Sequence, residues 1–102
     1  MEDTLRSGLL SVVLPSYNEE ASIPRAADTI TAILIDADIP HELVFVDDGS
    51  RDRTWTVIQE QAGRHPQVRG VRFSRNFGKE AAIFAGLAQA RGDCTLVMDC
   101  DL

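Results

Sequence analysis

The stretch Leu43 to Ser50 reads Leu-Val-Phe-Val-Asp-Asp-Gly-Ser. Its apolar half, rich in β-branched and aromatic residues, is a short buried-strand signal. The strand stops abruptly in Asp47, Asp48, Gly49 and Ser50, and Arg51-Asp52-Arg53-Thr54 then leads into a helical pattern. Asp47 and Asp48 therefore fall at the carboxyl end of a strand, where open α/β sheets hold their ligands. An Asp-Gly pair by itself is ordinary turn punctuation. The pair carries weight here because other apolar runs of the chain end in the same way.

Leu9 to Leu14 is a near-continuous apolar run, the pattern of a strand covered on both faces. Pro15 closes it, and Pro15-Ser16-Tyr17-Asn18-Glu19-Glu20 forms the loop beyond. Ser22 is placed to cap a helix with Pro24 in its first turn. Ile23, Ala26, Ala27, Ile30, Ile33 and Leu34 then recur at helical spacing up to about Asp36. Asp38-Ile39-Pro40-His41 is a connector in which His41 reads as a solvated loop residue. Ser50 is placed to cap a second helix, with Trp55, Val57, Ile58 and Ala62 on its apolar face; Gly63-Arg64-His65-Pro66 stops it, and His65 reads as loop.

Val68 to Phe73 alternates and carries Arg69 and Arg72, which suits a sheet edge. Ser74 to Lys79 leads into an Ala-rich helix, Glu80 to Ala90, whose small residues suit close packing on a sheet. Cys94 to Met98 is an uncharged fourth strand that reads as buried on both faces, and Asp99-Cys100-Asp101 follows it.

Strand and helix alternate three times before a last strand, which predicts an α/β fold: an open parallel sheet with right-handed crossovers and helices on both faces. Edge character in the third strand predicts the spatial order 3-2-1-4. That order reverses between strands one and four, so a crevice opens there. Glu19, Asp47, Asp48, Asp99 and Asp101 are expected around it. Carboxylates converging on one cleft repel each other, so either their pKa values rise or a cation joins them, and oxygen donors of this kind suit Mg²⁺ or Mn²⁺.

The 102 residues fit one small domain, residues 9–102, behind a frayed polar stretch 1–8. A net charge of −6 argues against a general nucleic-acid surface. Cys94 and Cys100 lack the His or Cys neighbours of a zinc set and read as small buried residues in or beside a strand, reduced in a cytoplasmic protein. No signal peptide and no membrane-length apolar run is present in this sequence.

Four motifs in order resemble the family 2 glycosyltransferases: Val13-Leu14-Pro15-Ser16-Tyr17-Asn18-Glu19-Glu20, Val46-Asp47-Asp48-Gly49-Ser50-Arg51-Asp52-Arg53-Thr54, Ser74 to Ala82, and Met98-Asp99-Cys100-Asp101. Ser74-Arg75-Asn76-Phe77-Gly78-Lys79 narrows the resemblance to the branch of dolichol-phosphate mannose synthase and the bacterial polyprenyl-phosphate glycosyltransferases. The resemblance implies a GT-A fold that moves a hexose from a UDP- or GDP-sugar to polyprenyl phosphate at the cytoplasmic face of a membrane. It implies that Pro15, Tyr17, Glu19 and Asp47 line the base and ribose. It further implies that Asp48, Arg75 and Lys79 belong to the same nucleotide-sugar site, with Arg75 and Lys79 toward phosphate. Asp99 and Asp101 match the Asp-x-Asp motif that holds the diphosphate through a divalent metal.

The sequence stops at Leu102, so the expectation is the donor-binding half of such an enzyme, with no catalytic base assigned within it and little turnover alone. A fold-sharing module without chemistry is the alternative. An uncharged fourth strand left at the sheet edge predicts self-association through that strand.

Overall fold

The computed structural model describes residues 8–102, so the expected frayed stretch falls, save Gly8, outside the described residues. The elements follow as β1 (Leu10–Ser16), α1 (Ile23–Asp36), β2 (His41–Asp47), α2 (Thr54–Arg64), β3 (Val68–Arg72), α3 (Lys79–Gln89) and β4 (Cys94–Val97). The strands form one sheet in the order β3-β2-β1-β4, as expected, and every adjacent pair is parallel.

Alternation along the strands divides the core between the two faces of the sheet. Val12, Leu14, Leu43, Phe45 and Val68 face α1 and α2, which supply Ile23, Ala26, Ala27, Ile30, Leu34, Val57 and Ile58. Val13, Val44 and Val46 face α3, which supplies Ala82, with Val71 and Phe73 packed alongside. Helix α3 lies flat because Gly86 meets Val13 and Val46, and a Cβ there would collide with the Val13 side chain. Among the described residues no helix is long and apolar enough to cross a membrane.

Several local expectations are corrected. Strand β4 is not buried on both faces: all of Cys94–Val97 is exposed, because β4 pairs only with β1 and no helix covers it. His41 is not a loop residue; it opens β2 opposite Leu10, and its Nε2 is buried with no partner among the described residues. Ser50 does not cap α2, which begins at Thr54, because the Ser50 hydroxyl is taken up by the loop after β1. Ser22 does occupy the N-cap position of α1, but without a side-chain cap bond.

Arg69 is more than an edge charge. It pairs with Glu42 at 2.8 Å, within a network that ties β1, β2 and β3 to the turn before β4 at the end away from the crevice. Glu42 accepts from the Ser11 hydroxyl at 2.6 Å and from the Arg91 N–H at 2.7 Å, while Gly92 donates to the Ser11 hydroxyl oxygen at 2.8 Å. Burial alone raises the Glu42 pKa, but the Ser11, Arg91 and Arg69 donors outweigh it and hold the carboxyl below its ordinary value.

Candidate functional site

At the carboxyl edge of the sheet the loops after β1, β2 and β3 are joined by hydrogen bonds that start in the run Asp47 to Thr54. The Asn18 N–H donates to the Ser50 hydroxyl at 2.8 Å, and the Arg51 N–H donates back to the Asn18 side-chain oxygen at 2.9 Å. The Glu19 N–H donates to the Thr54 hydroxyl at 2.8 Å. Asp52 accepts from the Thr54 N–H at 2.9 Å and takes the Thr54 hydroxyl proton donor as well, so it performs the capping that Ser50 does not. Burial pushes the Asp52 pKa up, but these donors outweigh it and leave the carboxyl below its ordinary value.

Asp48 reaches the other way. Its carboxylate accepts from the Phe77 N–H at 2.8 Å, from the Gly78 N–H at 3.1 Å and from the Asn76 amide at 3.2 Å. Asp48 is 4% exposed and sits at the N-terminal end of α3, where a carboxylate is favoured by the helix dipole. Gly49, at φ +69°, lets the 75–76 peptide lie directly against it; any Cβ would overlap the Arg75 carbonyl carbon. The turn after β2 and the loop before α3 are thus one interlocked piece.

Asp47 is fully buried: one oxygen accepts from the Ser50 N–H at 2.9 Å and the other, Oδ2, has no partner among the described residues. Arg75 lies over the Phe77 ring at 4.7 Å, and Phe77 packs edge-on against Phe73 at 5.6 Å.

The expected crevice opens where the strand order reverses, between the ends of β1 and β4. It encloses about 260 Å³ and is lined by Pro15, Tyr17, Glu19, Lys79, Asp99, Cys100 and Asp101. The structure thus brings together Pro15, Tyr17, Glu19, Lys79, Asp99 and Asp101. Asp47, Asp48 and Arg75 do not line this space, which corrects the expectation that all the strand-end acids surround it.

Cys100, buried beside the end of β4, organises the Asp-x-Asp turn. Its side chain drops into the core, with Sγ 3.5 Å from the Ser16 hydroxyl, so its neighbours Asp99 and Asp101 are turned outward. Burial pushes the Cys100 thiol up to about 11. Across the crevice Lys79 Nζ donates to Asp99 Oδ1 at 2.8 Å. That hydrogen bond, with the Asp99 charge, raises the Lys79 pKa.

Among the described residues no three His, Cys, Asp or Glu side chains form a complete metal cage. Two outward carboxylates two residues apart still fit a hard cation whose other positions are filled by phosphate oxygens and water, the usual habit of Mg²⁺ and Mn²⁺.

Residues 11–102 match the family described as glycosyl transferase family 2. The chain is 45% identical over 95 residues to the undecaprenyl-phosphate 4-deoxy-4-formamido-L-arabinose transferase of Pseudomonas aeruginosa strain LESB58, covering 92% of this chain and 28% of that protein. It is 42% identical over 93 residues to the bactoprenol glucosyl transferase of Shigella phage SfV, covering 91% of this chain and 30% of that one. Among solved structures, the mannosyltransferase PcManGT from Pyrobaculum calidifontis in complex with GDP-Man and Mn²⁺ superposes with a TM-score of 0.80 at 29% identity, covering 92% of this chain and 28% of that one. S. aureus TarS 1-349 in complex with UDP-GlcNAc superposes with a TM-score of 0.76 at 27% identity, covering 90% of this chain and 26% of that one. The chain therefore spans under a third of the length of these relatives.

Proposed function

Because the chain belongs to glycosyl transferase family 2, we propose that it is the donor-binding part of an inverting hexosyltransferase, which moves a sugar from a UDP- or GDP-sugar to polyprenyl phosphate. The observation that carries this reading is the crevice at the β1–β4 reversal, where Pro15, Tyr17 and Glu19 face Lys79, Asp99 and Asp101. Pro15, Tyr17 and Glu19 line the base and ribose side. Asp47 does not line the crevice; it is assigned to the base and ribose on the family resemblance, and its buried Oδ2, with no partner among the described residues, is the acceptor it would offer. Lys79 answers the diphosphate, and Arg75, which lies over the Phe77 ring, is assigned toward phosphate with it. Asp48 serves the nucleotide-sugar site indirectly, by fixing the loop from which Lys79 projects.

Asp99 and Asp101 would hold Mg²⁺ or Mn²⁺ against the donor diphosphate. When bound, that cation neutralises charge growing on the departing nucleoside diphosphate. The chain's own part is to orient the diphosphate, to hold its base end against Tyr17, and to keep positive charge at Lys79 where the leaving group develops negative charge. The acceptor phosphate attacks the anomeric carbon from the opposite side, which inverts its configuration. No residue of this chain is assigned as a base for that step.

Polyprenyl phosphate as acceptor is supported by the undecaprenyl-phosphate and bactoprenol relatives, and a lipid-linked acceptor of that kind puts the proposed reaction at a membrane surface. A module that keeps the fold without chemistry has no observation in its favour. The exposed edge of β4 supports self-association of the chain through that strand.

Calorimetric titration of UDP and GDP in Mn²⁺, Mg²⁺ or EDTA tests the reading. One of the two nucleotides is expected to bind with metal and to lose most of its affinity in EDTA. Equal binding in EDTA, or no binding of either nucleotide, would overturn it.

A further inference from the structure

The Asp-x-Asp pair does not stand open in this structure. Lys79 Nζ lies 2.8 Å from Asp99 Oδ1, whereas among the described residues no basic side chain pairs with Asp101. Lys79 is the first residue of α3, and the end of α3 is fixed by the buried Asp48 carboxylate through the Phe77 and Gly78 N–H groups. The reach of Lys79 across the crevice is therefore set by a buried anchor, although the side chain itself is 62% exposed. Glu19, Asp99 and Asp101 line the same space, and Lys79 is the one basic side chain among the residues lining it.

We propose that Lys79 is a resident counter-cation: it neutralises Asp99 before donor arrives, competes with a divalent cation for that carboxylate, and transfers to the diphosphate when metal and nucleotide enter together. The inference rests on the donor-site reading above. A divalent ion arriving alone must displace the ammonium from Asp99 and then sit beside it, against like-charge repulsion. A nucleoside diphosphate arriving with the ion gives the ammonium a new anionic partner, so the displacement no longer leaves it uncompensated. Metal and nucleotide binding are thereby coupled, each strengthening the other by the same factor. Lysine suits the transfer because it is a point charge on a flexible stem, where an arginine fork would hold Asp99 through two parallel bonds.

The test compares wild type with Lys79→Met and Lys79→Arg, titrating first Mn²⁺ alone and then UDP and GDP at saturating Mn²⁺. Because exposed ion pairs are weak, Lys79→Met is expected to bind Mn²⁺ alone only roughly two- to fivefold more tightly than wild type. With Mn²⁺ present the same variant is expected to bind nucleotide about tenfold more weakly, for loss of one charge-assisted contact to phosphate. Lys79→Arg is expected to show no gain for Mn²⁺ alone. A residue that merely supports the fold cannot move the two affinities in opposite directions. Unchanged or weaker Mn²⁺ binding by Lys79→Met overturns the counter-cation role. If wild type takes neither nucleotide while Lys79→Met still gains Mn²⁺ affinity, the donor-site reading falls and the competition at Asp99 stands. No Mn²⁺ binding in any of the proteins overturns both.

Discussion

Replacing Glu42 by Gln removes one negative charge from the network at the far end of the sheet while leaving its volume nearly unchanged. The Glu42 side chain is 8% exposed and accepts from Ser11, Arg91 and both the Nε and Nη2 of Arg69. A hydrogen bond to a charged group contributes about 1.5–3 kcal/mol. Breaking a fully buried pair costs about 3–5 kcal/mol. Arg69 is 23% exposed and regains some hydration, so the loss falls below that upper range. We expect about 2–3 kcal/mol from the variant, which for a domain of this size is a fall of roughly 10–20 °C in Tm.

The pH dependence gives a sharper check. The folded-state pKa of Glu42 lies below its ordinary 4.5. Its contribution is therefore fully present above pH 4.5 and is lost as pH falls through the lower folded value. The difference in Tm between wild type and Glu42→Gln, followed by circular dichroism, should be largest near neutrality and shrink steadily below pH 4.5. A gap that stays constant to pH 3, or one of less than about 0.5 kcal/mol at pH 7, would refute the network as a source of stability.

Asp101→Ala is expected to weaken metal-dependent nucleotide binding, read by calorimetry, and to shift Tm by no more than about 0.5 kcal/mol equivalent, since the residue is exposed. A thiol reagent at pH 7 should label Cys94 at once and Cys100 only in denaturant, because Cys100 is 2% exposed and its thiol is raised to about 11; mass spectrometry of the labelled chain reads the outcome. Light scattering on size exclusion at micromolar concentration should show a species larger than the 11.2 kDa monomer, and Leu96→Lys on the exposed edge should return it to monomer.

The sheet order and the position of the crevice were legible because both depend on patterns local to the sequence. Apolar runs mark the strands, arginines mark β3 as an edge, and the reversal between β1 and β4 follows from those assignments. The Glu42 network was not legible, because it depends on register. Only once Ser11 is set opposite Glu42, and Val44 opposite Arg69, do the hydroxyl, carboxylate and guanidinium share a face. The one available signal was a glutamate directly before the apolar run Leu43 to Val46. The run Asp47 to Thr54 misled for a different reason. Asp, Ser and Thr look the same in a sequence whether their oxygens serve a ligand, a helix end or a neighbouring loop, and here Ser50 and Thr54 serve the loop after β1 while Asp48 and Asp52 serve the starts of α3 and α2.

That division of labour gives the two sides of the crevice unequal support. On the β1 side, Tyr17 and Glu19 stand on a loop stitched to the turn after β2, which is stitched in turn to the loop before α3. On the β4 side, Asp99 and Asp101 follow a strand that is exposed along its whole length and paired only with β1. Their placement depends on the Met98 N–H bond to the Val13 carbonyl at 3.0 Å, the buried Cys100 side chain and the Lys79 pair. Local opening is drawn from segments with few buried contacts, so amide exchange should be fastest through β4 and the turn after it and slowest in β1 and β2. Ordering of the carboxylate pair by metal and diphosphate would then draw on the same binding free energy that displaces Lys79, which ties the weakest part of the fold to the part that handles charge.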